Sequence, residues 1–306
     1  METAVLSNNL VYPLIGITSI IINMFLGNLL YLMVKVLPHR SSSTLNRQLL
    51  PNTNTEMKWF KHHNNKEYYS FLSRVPIIGY REHKNKSVLK FEIFNTIFNT
   101  VFLFIITKLD FGVFAGHVSP LFKNLSSSTG ELLTIILIFL STIVWSVVLT
   151  MWTAALIIDF RHYIIPDFVN LSLFISALIL FVLGSITYGA PLWSNLAIGA
   201  GIFLFFFILG LVSGGMGGGD VKFIISSGII FGPQILALIF IASLLGAFYR
   251  AVLVPLFKIG KGKESPEDIK GKKVFPFGPF LVLSSYIVLL FSPYFVILLT
   301  KYFQAI

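Results

Sequence analysis

Long apolar stretches, repeated along the whole chain, are the feature that most restricts its fold. They run Leu10–Leu37, Phe91–Ile106, Leu132–Ile158, Phe168–Thr187, Leu196–Val212, Val221–Phe231, Ile235–Phe257 and Phe277–Leu299. A helix needs about 20 predominantly apolar residues to cross the hydrocarbon core of a bilayer. The pattern therefore specifies an all-α polytopic membrane protein with about eight hydrophobic helical segments, the sixth too short to cross by itself. Charge agrees: 12% of residues are charged, where soluble domains carry about 25%. Mean hydropathy is +0.82. The absence of cysteine and a 15% aromatic content exclude disulfide-stapled and disordered classes. The first stretch is not expected to be a cleavable signal, because Met1–Leu10 lacks a basic residue and the run is too long.

The placement of charge gives an orientation. Residues 35–90 hold eleven Lys/Arg and three acids, and residues 250–273 hold seven and three. The loops after the first and seventh stretches are thus strongly basic, and span parity puts both on one side. Basic loops stay in the cytoplasm. Both termini are then expected outside, and the short turns 159–167 and 213–220 on the cytoplasmic side. The basic loops read as topology signals with attraction to anionic membrane lipid. Nucleic acid is not expected as a partner, because Pro38–Lys90 shows no recognisable binding motif.

Two units follow from this spacing. Residues 1–109 form an N-terminal unit: two spans around the polar loop Pro38–Lys90, whose first half is rich in Ser, Thr and Asn. Residues 130–306 hold six apolar segments with short connections.

Acidic groups at membrane depth are expensive, so each is a functional candidate. Of thirteen acids, only Glu92, Asp159, Asp167 and Asp220 sit at or inside span boundaries. Asp159 ends the third segment, where the helix macrodipole opposes a carboxylate unless Arg161 or His162 pairs with it. Asp167 follows Pro166 and reads as the N-cap of the fourth segment. Asp220 follows Gly214-Gly215-Met216-Gly217-Gly218-Gly219. Five glycines in six residues allow backbone closed to other side chains and close approach of another segment, and irregular backbone at this depth survives only when buried or lining a wet cavity. Lys222 is placed to snorkel or to sit near Asp220. Glu92 has Lys90 close by, with no role assigned.

No metal is expected, since the six histidines are scattered and no HExxH pair occurs. Cysteine nucleophiles and a G-x-S-x-G elbow are absent as well. Two aspartates without another catalytic set point to aspartyl-type hydrolysis, in which close carboxyls share one proton. One carboxyl draws a proton from water while the other donates to the scissile carbonyl.

At this point the residues resemble the type IV prepilin peptidases. Gly215-Met216-Gly217-Gly218-Gly219-Asp220-Val221-Lys222 is similar to their GxGD signature, and Ile158-Asp159 with Ile165-Pro166-Asp167 to their other aspartate motif. Phe275-Pro276-Phe277-Gly278-Pro279-Phe280 resembles the element before their last span. Gly27, Leu30, Leu37-Pro38 and Val75-Pro76-Ile77-Ile78 match the N-terminal part more loosely. The resemblance implies a membrane aspartyl endopeptidase of the bacterial inner membrane. It would remove the short basic leader of type IV prepilins or pseudopilins, with Asp159 and Asp220 as catalytic pair. It further implies that Gly217 and Gly219 shape the backbone, Asp167 supports the site and Lys222 tunes Asp220. In many relatives two CxxC pairs, absent here, occupy the first loop. Relatives with a second activity methylate the new N-terminal residue from S-adenosylmethionine, in a methyltransferase-like unit that would be residues 1–109 here.

Two other readings use the same residues. A proton-coupled transporter also needs intramembrane acids and broken helices, but no inverted repeat is apparent and the acids gather near one face. An inactive assembly scaffold would have no need of intact aspartate motifs.

Overall fold

A computed structural model describes residues 2–35, 86–109, 131–188, 193–213, 217–256 and 276–304. The described residues are helical: α1 Glu2–Lys35, α2 Lys86–Leu109, α3 Glu131–His162, α4 Asp167–Tyr188, α5 Trp193–Ser213, α6 Gly218–Phe231, α7 Ile235–Phe248 and α8 Gly278–Gln304. A π turn, Tyr249–Leu253, and a last turn, Val254–Leu256, extend α7. Apolar surroundings leave the backbone no partner but itself, and a helix satisfies it within one segment. Four helical stretches are long and apolar enough to cross a membrane: Ile136–Phe160, Asp167–Ile186, Trp193–Val212 and Gly218–Leu253. Ile15–Gly27, Glu92–Ile105 and Gly278–Phe291 are shorter apolar stretches. The chain is thus a helical membrane protein.

Most of the expected polar loop falls on residues 36–85, outside the described residues. Its last five residues are helical instead, because α2 begins at Lys86.

α3 is the central helix, packed on α1, α2, α4 and α8. Trp145, Leu149, Trp152, Ala155 and Ile158 on it are fully buried. α5 lies at the periphery, with Leu204, Phe205 and Leu211 exposed. It meets α6 at two glycines: a Cβ on Gly228 would stand 2.7 Å from Gly199 Cα.

The stretch Gly218–Leu253 is 36 residues long. As one straight helix it would measure ~54 Å at 1.5 Å per residue, far beyond a hydrocarbon core of about 30 Å. It reverses instead at Gly232, whose φ of 55° is left-handed and whose missing Cβ leaves room for Asn195. Phe231 stacks on Trp152 at 5.9 Å, and Tyr249 returns to Phe280 at 5.4 Å. Phe280 in turn touches Phe160, beside Asp159. α6 therefore runs away from the Asp159 end of α3, and α7 runs back towards it.

A buried polar seam joins α1, α2 and α3. Asn99 Nδ2 donates to Asn95 Oδ1 (2.9 Å), Thr150 Oγ1 (3.1 Å) and Asn23 Oδ1 (3.2 Å). Asn95 Nδ2 donates to the Asn23 carbonyl at 3.0 Å and to Thr150 Oγ1 at 3.2 Å. Glu92 is buried just beyond it, where a Cβ on Gly27 would meet the Glu92 backbone.

Candidate functional site

The carboxyls that stand out in the sequence lie where the end of α3 and the starts of α4, α6 and α8 converge. α3 runs on to His162 and closes with Tyr163 in a left-handed conformation, φ 56°. The Tyr163 N–H donates to the Asp159 carbonyl at 2.9 Å. Asp159 thus lies in the last turn, one turn earlier than a terminal residue. Pro166 cannot extend α3 and biases Ile165 away from helix. Its carbonyl accepts from Val169 and Asn170 at 3.0 and 3.2 Å, which starts α4.

Asp159 is 3% exposed. Its carboxyl is set against the first turn of α8: the Gly278 N–H faces it, and a Cβ on Gly278 would stand 2.7 Å from Oδ2. That placement answers the unfavourable dipole of α3, because the positive end of another helix is turned towards the carboxyl. Oδ2 itself makes no hydrogen bond to a described residue.

Asp220 is the third residue of α6, in a first turn where a carboxylate is favoured. The Gly217 carbonyl accepts from Asp220 and Val221 at 3.1 and 3.3 Å. Asp220 Oδ2 folds over Gly217, 3.0 Å from where a Cβ would be. Gly219 lies tightly on Ile165: a Cβ would be 3.1 Å from the Ile165 carbonyl oxygen, so one of the two would have to give by a few tenths of an ångström. Ile165 also touches Gly278, its Cδ1 lying 2.9 Å from the site of a Cβ there. Ile165 therefore joins the backbone before Asp220 to the backbone beside Asp159, and the two carboxyls lie within electrostatic reach of each other.

Two expectations are corrected. Asp167 is the first residue inside α4 rather than its cap, since the Pro166 carbonyl takes the opening bonds. Its carboxylate goes to Lys222 Nζ at 2.6 Å, in a pair whose side chains are 54% and 82% exposed. Lys222 is thereby engaged on α4 and not with Asp220: it lies two residues further round α6, towards Asp167. The side chains of Arg161 and His162, Gly214–Met216 and Phe275 lie outside the described residues. No group of acids and histidines able to hold a metal occurs among the described residues.

One neighbour escapes notice in the sequence. Asn170 Nδ2 donates to the Gly219 carbonyl at 3.1 Å. Its only sequence signal is a polar side chain one turn into an apolar helix.

The fold and this site define a helical membrane protein with two carboxyl groups gathered at one end of its core. Residues 146–251 match the model of the type IV leader peptidase family. The matched stretch carries both Asp159 and Asp220 and is similar to a family of peptidases. The chain matches no curated protein and no solved structure.

Proposed function

We propose that the chain is a membrane-embedded aspartyl endopeptidase that removes the basic leader of type IV prepilins or pseudopilins at the cytoplasmic face of a bacterial inner membrane. What carries this reading is the approach of Asp159 and Asp220 across the Ile165 contact, at one end of the bundle. One carboxyl, ionised, takes a proton from a water molecule, whose oxygen bonds to the scissile carbonyl carbon. The other, protonated, gives its proton to the carbonyl oxygen. The resulting diol collapses: the C–N bond breaks, the nitrogen takes a proton from the first carboxyl, and a hydroxyl proton returns to the second. Gly217 leaves room for the Asp220 carboxyl and Gly219 for Ile165, and the Asp167–Lys222 pair ties α4 to α6 at the edge of the site.

In this reading the eight apolar segments are spans, both termini are outside, and residues 130–306 are the peptidase core. The two basic segments face the cytoplasm and its anionic lipid. Methyl transfer from S-adenosylmethionine would be housed by residues 1–109, whose segment 36–85 lies outside the described residues.

Purified protein incubated with a prepilin, with and without S-adenosylmethionine, tests both activities by the mass of the product. Loss of the leader is expected, and Asp159→Asn or Asp220→Asn abolishes it, because an amide can neither accept nor share the proton. Leader removal at the wild-type rate in either variant defeats the assignment. A methyl added only with S-adenosylmethionine establishes the second activity.

A further inference from the structure

We infer that Asn170 is a positioning residue of the peptidase, holding Gly219 so that Asp220 stays within reach of Asp159. The inference rests on the peptidase reading and names a residue outside its motifs. Asn170 is 3% exposed and lies on α4 between Val169 and Leu173, both fully buried apolar residues. A position that served packing alone would be served by another apolar side chain. Asn170 instead spends one end of its amide on the Gly219 carbonyl at 3.1 Å, while its Oδ1 is buried and bonded to no described residue. The amide orientation follows from that contact, since the reverse would set two oxygens face to face. A buried acceptor without a donor costs stability, so packing alone does not account for an amide at this position.

What it gains is control of one peptide. Glycine supplies no side chain by which neighbours can fix it, and Gly219 immediately precedes Asp220. On one side Ile165 fits against its bare Cα, leaving about 3.1–3.4 Å to any added carbon. On the other, Asn170 holds its carbonyl. Together they fix the direction in which α6 leaves the glycine run, and so where its third residue points. Asn170 touches neither carboxyl in this arrangement and acts through the backbone.

The test compares Asn170→Leu and Asn170→Asp with the wild type and Asp220→Asn, measuring kcat and KM for prepilin across pH, normalised to folded protein. For Asn170→Leu the expected result is a kcat lower by ~10- to 100-fold, the scale of a misplacement of about 1 Å, with little change in KM. Its pH–rate profile should also narrow, because carboxyls that drift apart are less strongly coupled and titrate closer together. Asp167 and Lys222, the charged neighbours on α4 and α6, are untouched by the change. A merely structural role lowers the whole profile without altering its width. Asn170→Asp keeps the shape of the side chain: ionised it cannot donate to the carbonyl, and protonated it can. Its kcat relative to the wild type should therefore rise as pH falls. A folded Asn170→Leu with wild-type kcat, an unchanged profile width, or a flat Asn170→Asp ratio overturns the inference. Wild-type protein that leaves prepilin uncut removes the peptidase reading and this role together. Wild-type cleavage with a dead Asp220→Asn and a fully active Asn170→Leu removes this role alone.

Discussion

Three glycines near the carboxyls differ in what surrounds the place of a Cβ, and that difference orders their tolerance to alanine. At Gly218 nothing lies within 4 Å, at Gly219 three Ile165 atoms lie within 3.4 Å, and at Gly278 Asp159 Oδ2 and Ile165 Cδ1 lie within 2.9 Å. Gly218→Ala is expected to leave leader removal unchanged and to favour the first turn of α6 slightly, alanine being the better helix former by up to ~1 kcal/mol. Gly219→Ala must push Ile165 or α6 aside, and Gly278→Ala must displace the Asp159 carboxyl itself. Both should lower kcat by at least ~10-fold, by the same misplacement argument. Cleavage rates of the three variants, each normalised to folded protein, decide it, and a Gly278→Ala enzyme as fast as Gly218→Ala refutes the ordering. The glycine run and the two aspartates were visible in the sequence because charge and backbone freedom at membrane depth are rare. The special standing of Gly278 was not. Its neighbour Asp159 lies 119 residues earlier in the chain, and no pattern in one sequence announces such a pair.

At the level of elements, the apolar stretches carried most of the fold, since length and hydropathy decide whether a segment can be a buried helix. What they could not carry is which helices touch, and by what. The seam of Asn23, Asn95, Asn99 and Thr150 looks in the sequence like scattered polar interruptions, yet it links helices whose bonded residues are 51 to 76 positions apart. Asn170 belongs to the same class of residue. Between apolar helices in lipid there is little hydrophobic drive to associate, so packing and such bonds determine the neighbours. Asn99→Leu removes a donor shared by three acceptors while leaving Asn23 and Asn95 buried. The expected cost is about 1–2 kcal/mol, at the level seen for interhelical bonds in membranes, read as a lower thermal midpoint in detergent. Because the seam ties α1 and α2 to the side of α3, while Asp159 lies in the last turn of α3 and Asp220 in the first turn of α6, kcat of the folded variant should stay within about 2-fold. An unchanged midpoint would show the seam to be energetically idle.

Over the whole molecule, charge bias and packing bear on the same question by independent routes. Span parity and the basic segments predict the turns 159–167 and 213–220 on one side. The contacts bring those turns together through Ile165, Gly219 and Gly278, as they must be if both lie at one face. The basic segments predict that this face is the cytoplasmic one. The absence of cysteine makes the choice measurable, since one introduced thiol is then the only one in the chain. Gly218→Cys sits at the carboxyl end in open space, and Ser194→Cys at the opposite, exposed end of α5. In intact cells with a permeable outer layer, a membrane-impermeant maleimide should label Ser194→Cys alone. Gly218→Cys should react only once the inner membrane is opened. The reverse result would put the carboxyls outside, where a leader still in the cytoplasm could not reach them. Peptidase activity on that leader and outward-facing carboxyls cannot both hold, so this experiment constrains the mechanism as well as the topology.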